Sequence, residues 1–205
     1  VTYEQRIIKH LLDIDAVQIK PDRSFTWTSG IKSPIYCDNR LTMSYPEVRK
    51  LITTGFMNKL VDIKHEIDGI SGCATAGIPH AAWLSSELDL PMSYVRGSAK
   101  KHGKQNQIEG VIKPGDQIVV IEDLISTGGS VIETIRAIEA VGAKVVKVLA
   151  IFSYGLNKAE AAFEAVNVQY ETLANFDELI QYLLEEGTIS KAEHQDLQNW
   201  RDELK

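Results

Sequence analysis

Cysteine is scarce: Cys37 and Cys73 are the only two in 205 residues, too few for a disulfide framework. No stretch approaches the run of about 20 apolar residues that spans a bilayer. The opening V-T-Y-E-Q-R-I-I-K-H is charged and amphipathic and lacks the apolar centre of a secretion leader. These shortages set the expectation of a cytoplasmic protein with reduced thiols and no membrane partner. Positive charge is not in excess either. With 22 Lys and Arg against 28 Asp and Glu, the net charge of −6 argues against general nucleic-acid binding. Internal repeats, low-complexity segments and linkers are absent as well. What remains is 44% hydrophobic and 24% charged, the make-up of one sizeable globular domain spanning residues 1–205.

Periodicity along the chain predicts an amphipathic helix over Tyr3–Asp13, with Ile7, Ile8, Leu11 and Leu12 on one face. A short strand over Ala16–Ile19 follows, then two β-like runs around the turn Ser29-Gly30. Together these form a small N-terminal hood or cap, roughly residues 1–44. Pro46 opens a helix over Tyr45–Val61, where its missing N–H costs little. Strand-loop-helix units then alternate. Strands are expected at Ile67–Ile70, Met92–Val95, Ile118 onward and Val145–Phe152, with a last one near Val168–Tyr170. Helices are expected at Ile78–Leu88, Val131–Ala140, Lys158–Val166, Phe176–Glu186 and Ser190–Leu204. Near-continuous aliphatic strands between helices imply an α/β fold: an open, mainly parallel sheet with helices on both faces. In such sheets the ligand lies beyond the carboxyl ends of the strands.

The stretch from Ile118 to Ser130, I-V-V-I-E-D-L-I-S-T-G-G-S, concentrates the chemistry. An apolar strand runs into Glu122 and Asp123, and a small, Gly-rich turn opens the next helix. Free amides at that helix start, with Ser and Thr hydroxyls, make a seat for phosphate. The carboxylates just before it accept hydroxyl hydrogens or suit a hydrated metal ion. Diol and phosphate side by side point to a ribose 5-phosphate. No G-K-S/T follows the glycines, which excludes a P-loop, and the acids precede the glycines, unlike a dinucleotide fingerprint. Small residues from Ser71 to Gly77 offer a second place for close approach to an anion, or simply a tight turn. Cys73 there is a small filler, since no base lies nearby in sequence to activate it. Finally, Arg96 to Lys104 is a cationic loop in an acidic chain, of a length that is usually functional.

The Ile118–Ser130 pattern resembles the signature of the type I phosphoribosyltransferases: a hydrophobic strand, two acids, then T/S-x-G-G-S/T. The resemblance implies that Glu122 and Asp123 take the ribose 2- and 3-hydroxyls of phosphoribosyl pyrophosphate (PRPP). Leu124 and Ile125 lead into Ser126, Thr127, Gly128, Gly129 and Ser130, which would hold its 5-phosphate. The loop bearing Cys73 and Ala74 would meet the pyrophosphate. Arg96, Lys100 and His102, followed by Q-N-Q-I-E-G, are similar to the catalytic loop of orotate phosphoribosyltransferases. The implication is a homodimer in which the 96–110 loop acts in the neighbouring subunit, with these three residues catalytic and PRPP-binding. F-T-W-T-S-G-I-K-S-P-I-Y agrees, assigning Lys32, Ser33, Ile35 and Tyr36, with Ser126, to orotate.

This resemblance implies transfer of the phosphoribosyl group from PRPP to orotate, with Mg²⁺ carried mainly by PRPP and water and no metal held by protein side chains alone. Some members have Lys at Thr28 and at Gly97, and an orotate-binding Arg after the last core strand, where this chain reads Phe152-Ser153-Tyr154. Backbone amides near Ser33 to Tyr36 and the Ser126 hydroxyl are then left for the orotate carboxylate. Two other readings were weighed: transfer to a purine, which the 96–110 loop disfavours, and a non-catalytic PRPP sensor, which would carry a winged helix or a basic face.

Overall fold

The computed structural model describes residues 1–97 and 107–204. Helix α1 (Tyr3–Asp13) starts at a capping box, in which Thr2 and Gln5 each satisfy the other's backbone N–H, and it buries Ile7, Ile8 and Leu11. Strand β1 (Val17–Ile19), the hairpin β2 (Phe25–Thr26) and β3 (Lys32–Ser33), and β4 (Ile35–Cys37) follow. β4 pairs antiparallel with β1. The hairpin turns at Gly30, whose φ of +87° is a conformation that favours glycine. Trp27 pins this hood down: it stacks on Tyr154 at 5.1 Å, meets Trp200 edge-on at 5.7 Å and donates Nε1–H to the Ile35 carbonyl at 3.0 Å.

A 3₁₀ turn over Asn39–Ser44 leads into α2 (Pro46–Lys59), with Pro46 in the first turn as expected. The alternating units are β5 (Gly69–Cys73), α3 (Gly77–Leu88), β6 (Met92–Val95), β7 (Ile108–Glu109), β8 (Gln117–Ile125), α4 (Gly129–Ala140), β9 (Lys144–Ser153), α5 (Asn157–Val166) and β10 (Tyr170–Asn175). Helices α6 (Phe176–Glu185) and α7 (Lys191–Glu203) close the chain. The sheet order is β10-β9-β8-β5-β6-β7, parallel except for β7, which runs antiparallel to β6.

Successive residues of β8 feed opposite faces. Val119 and Ile121 pack with α1, α2, α3, α6 and α7, whereas Ile118 and Val120 pack with α4 and α5. Val119, Val120 and Ile121 are 0% exposed, each burial contributing about 1.5–3 kcal/mol, so β8 is firmly anchored in the sheet. Among the described residues no helix is long and apolar enough to cross a membrane.

Several boundaries differ from expectation. β5 starts two residues late and runs to Cys73, through residues that read as loop, because Ile70 and Gly72 pair with Val119 and Ile121 of β8 while Cys73 pairs with Val95 of β6. Neighbouring strands supply a ladder that small residues alone do not announce. β8 continues to Ile125, so both acids sit inside the strand end. Helix α4 begins at Gly129, two residues early. The last strand is Tyr170–Asn175, displaced toward the C-terminus; being a half-exposed edge strand, it shows little apolar signal. The antiparallel β7 was not anticipated.

Between β5 and β8 the connections diverge to opposite sides, creating the crevice where open α/β sheets take their ligands. Helix α3 approaches this crevice closely. A Cβ on Gly77 would fall well inside van der Waals contact with the Ile121 carbonyl oxygen, a backbone atom that cannot yield. Gly77→Ala is therefore expected to cost about 1–3 kcal/mol in denaturant unfolding, as overpacking does. Unchanged stability would show that α3 can retreat from β8 freely.

Candidate active site

At the end of β8, Glu122 is only 6% exposed. Its Oε1 accepts the Asp123 amide at 2.9 Å and its Oε2 accepts the Ser130 hydroxyl at 3.3 Å. Burial, then the adjoining Asp123 carboxyl, push its pKa up to about 8. Glu122 thus keeps its proton near neutral pH. Asp123 is half-buried, and its carbonyl accepts the Asn39 side-chain amide at 2.9 Å, which ties the strand end to the hood. Beneath it, Thr42 Oγ1 donates to the Asn39 carbonyl at 2.6 Å and lies 3.2 Å from His80 Nε2. With its own hydrogen engaged, that hydroxyl accepts from His80, fixing a neutral ring protonated on Nε2. Burial alone holds the His80 pKa down to about 4, in keeping with that tautomer.

The Gly-rich turn then opens α4. Gly128 sits at φ +87° as N-cap, and no side chain caps the helix, so its first amides face outward unclaimed by the helix itself. Ser126 is half-buried and Thr127, Gly129 and Ser130 are exposed, while Leu124 and Ile125 continue the strand. A second uncapped helix start lies on the far side of the switch point, where Ala76 precedes α3 without a side-chain cap. There the Ala74 amide is committed to the Val95 carbonyl at 3.0 Å, so within the Ser71–Gly77 stretch an anion would meet residues 75–77 and not the Ala74 amide. The Ala74–Thr75 peptide in this loop is cis. Cys73 is buried at 1% exposure, its thiol pushed well up by burial and by Glu122, which suits a filler and not a nucleophile.

At the base of the cationic loop, Arg96 pairs with Glu109 at 3.2 Å and its amide donates to the Gln107 carbonyl at 2.8 Å. Lys100 and His102 lie outside the described residues. Between the hood and the β8–α4 turn is a cavity of about 540 Å³. Tyr36 and Ser126, expected at the acceptor base, line it, together with Trp27, Thr28, Tyr154 and Lys158. Ser33 and Ile35 do not: both are buried, and the Ser33 hydroxyl closes on its own neighbour, accepting the Ile35 amide and donating to the Ile35 carbonyl. The Lys32 amine donates to Thr26 Oγ1 at 3.0 Å. Tyr154 and Lys158 escaped sequence reasoning, since one reads as a strand-end aromatic and the other as an ordinary solvated helix residue. Among the described residues no group of three or more His, Cys, Asp and Glu is placed to hold a metal ion.

The Glu122 carboxyl keeps its proton up to about 8 in the folded chain but releases it near 4.5 when unfolded. The folded state therefore carries the extra proton across that window, and stability falls as pH rises through it. Glu122→Gln, which cannot ionise, should lose less stability than the parent between these two pH values in denaturant titrations. Parallel pH profiles for the two proteins would show that Glu122 ionises freely.

Comparison with known proteins agrees with this geometry. Residues 43–183 match the phosphoribosyl transferase domain family. The orotate phosphoribosyltransferase of Staphylococcus haemolyticus is 53% identical over 98% of this chain and 99% of its own length. That of Fusobacterium nucleatum is 54% identical over 98% and 96%. The crystal structure of the orotate phosphoribosyltransferase from Aeropyrum pernix superposes with a TM-score of 0.77 at 26% identity, covering 90% of this chain and 99% of that one. A strand-end acid pair, an uncapped Gly-rich helix start and similarity to these enzymes over nearly the full length converge: the chain belongs to the orotate phosphoribosyltransferases, within the phosphoribosyltransferase family.

Proposed function

We propose that the crevice at the β5–β8 switch point binds PRPP and that the adjoining aromatic cavity binds orotate. The chain then transfers the 5-phosphoribosyl group to orotate, giving orotidine 5-phosphate and pyrophosphate in pyrimidine biosynthesis. The observation that carries this is the uncapped start of α4 directly after Glu122 and Asp123. One short segment offers a phosphate seat and a diol-binding acid pair, and the α3 amides across the switch point supply a second anion seat.

Displacement at the anomeric carbon passes through an oxocarbenium-like state, so the protein has little covalent chemistry to perform. Glu122 and Asp123 hold the ribose hydroxyls, and residues 126–130 hold the 5-phosphate, fixing the ring relative to the base in the cavity. The proton held on Glu122 leaves that carboxyl able to donate as well as accept. Trp27 and Tyr154 shape an apolar slot for the planar acceptor. Arg96, Lys100 and His102 stabilise charge growing on the departing pyrophosphate, with the 96–110 loop supplied by the second subunit of a homodimer. Hard oxygen donors such as Asp123 suit Mg²⁺ reached through water and PRPP oxygens, and the ion supplies further neutralisation of the leaving group when bound. In this reading the enzyme works in the cytoplasm, where its two free thiols, Cys37 and Cys73, stay reduced.

Because leaving-group charge grows toward the transition state, Lys100→Ala is expected to lower kcat by about 100-fold while KM for PRPP changes little. A raised KM with full turnover would remove Lys100 from that role. Asp123→Asn should raise KM for PRPP about tenfold or more at an unchanged melting temperature, the signature of lost ribose contacts and not of lost packing. The reading as a whole is tested by incubating the protein with PRPP, Mg²⁺ and a panel of orotate, uracil, adenine, hypoxanthine and guanine. Consumption of orotate alone is expected; PRPP binding without turnover of any base would point to a sensor instead.

A further inference from the structure

An ionised carboxylate on the acceptor ring sets a physical demand on the cavity. Moving that charge out of water is costly unless a cation or several hydrogen bonds replace its hydration. Among the described residues the cavity walls are aromatic, aliphatic, hydroxylic or thiol-bearing, and Lys158 is the only charged side chain lining it. It sits in the first turn of α5, shortly after Tyr154, whose ring forms the adjacent wall. Its amine has neither a hydrogen-bond partner nor an ion-pair partner among the described residues, which sets it apart from the other cations around the hood. Arg40 is paired with Asp38 at 2.7 Å, Arg201 with Asp177 at 2.7 Å, and the Lys32 amine rests on Thr26. Arg201 also donates to the Tyr154 carbonyl at 3.2 Å, holding the start of the segment that leads to Lys158. The backbone is less available than the sequence implied. The Ile35 amide is closed off by Ser33 Oγ at 3.0 Å, so it cannot serve a ligand without breaking that bond.

We infer that Lys158 receives the carboxylate of the acceptor base and thereby sets the preference of this cavity for an anionic pyrimidine over a neutral one. The inference rests on orotate being the acceptor, as assigned above. A lysine suits the position: its ammonium is a compact point charge on a flexible stem, able to swing from the rim into the cavity when the base enters and back into water when it leaves. Loss of a hydrogen bond to a charged group should then appear in acceptor affinity and leave PRPP affinity alone.

Steady-state kinetics on the full chain with both substrates varied tests this, using wild type, Lys158→Gln and Lys158→Arg. Expected is a rise of about tenfold or more in KM for orotate in Lys158→Gln, with KM for PRPP within about twofold and an unchanged melting temperature. Lys158→Arg, which keeps the charge, should restore most of the orotate affinity; a merely structural role for the side chain would not give this split or this recovery. An orotate KM in Lys158→Gln within about twofold of wild type overturns the inference. So does a result in which Lys32→Gln raises that KM and Lys158→Gln does not, since the carboxylate would then be held from the hairpin. Failure of the acceptor assignment itself is distinguishable, because it would appear as wild type leaving orotate unconsumed.

Discussion

Everything in this molecule depends on the position of β8 between β5 and β9. Parallel pairing on both sides, with side chains buried on both faces, holds the strand along its length. Its carboxyl end then has a defined place at the one point of the sheet where connections diverge. The chemistry is mounted on that end. Glu122 and Asp123 follow directly on Ile118–Ile121, which are buried against both cores and hold the strand end in place. Helix α3 is drawn close enough to β8 that only glycine fits at position 77, which brings the two uncapped helix starts to opposite sides of one crevice.

Electrostatics at the crevice runs against the bulk charge. The chain carries a net charge of −6, yet the crevice is flanked by two helix starts whose first amides no side chain caps. The acid pair is part of the same economy of charge. Burial keeps a proton on Glu122, so the strand end presents less negative charge to the phosphates than two free carboxylates would. Below it, Asn39, Thr42 and His80 form a buried chain of hydrogen bonds joining the hood, α3 and the Asp123 carbonyl. Three separate segments are thus locked together behind the site.

The hood has a different task. Its hairpin is too short to be stable alone and is held by Trp27 wedged between Tyr154 and Trp200, residues from the far half of the chain. That contact both anchors the hood and builds a wall of the cavity. Packing and the lining of the cavity therefore share residues here, and the cavity is complete only once the C-terminal segment has docked.

Much was legible in the residues alone. The continuous apolar run of β8, the acids after it and the glycines that follow marked a strand, a turn and a helix start within a dozen residues, because all three are local in sequence. Helix α1, α2 and the parallel character of the sheet were legible for the same reason. Local pattern did not determine how far β5 extends, since Ser71-Gly72-Cys73 becomes strand only when β6 and β8 flank it. Nor did it reveal that the Ala74 amide is taken by Val95, that Ser33 closes on Ile35, or that Tyr154 and Lys158 line a cavity with Trp27. Each of these depends on groups far apart in the chain meeting through the sheet. The sequence by itself determined the strand-end acid pair and the Gly-rich helix start, whose parts are neighbours along one strand and turn. Only the tertiary structure decided which amides are taken, which acid keeps its proton and which cation lines the cavity beside Trp27, because burial and long-range pairing set all three.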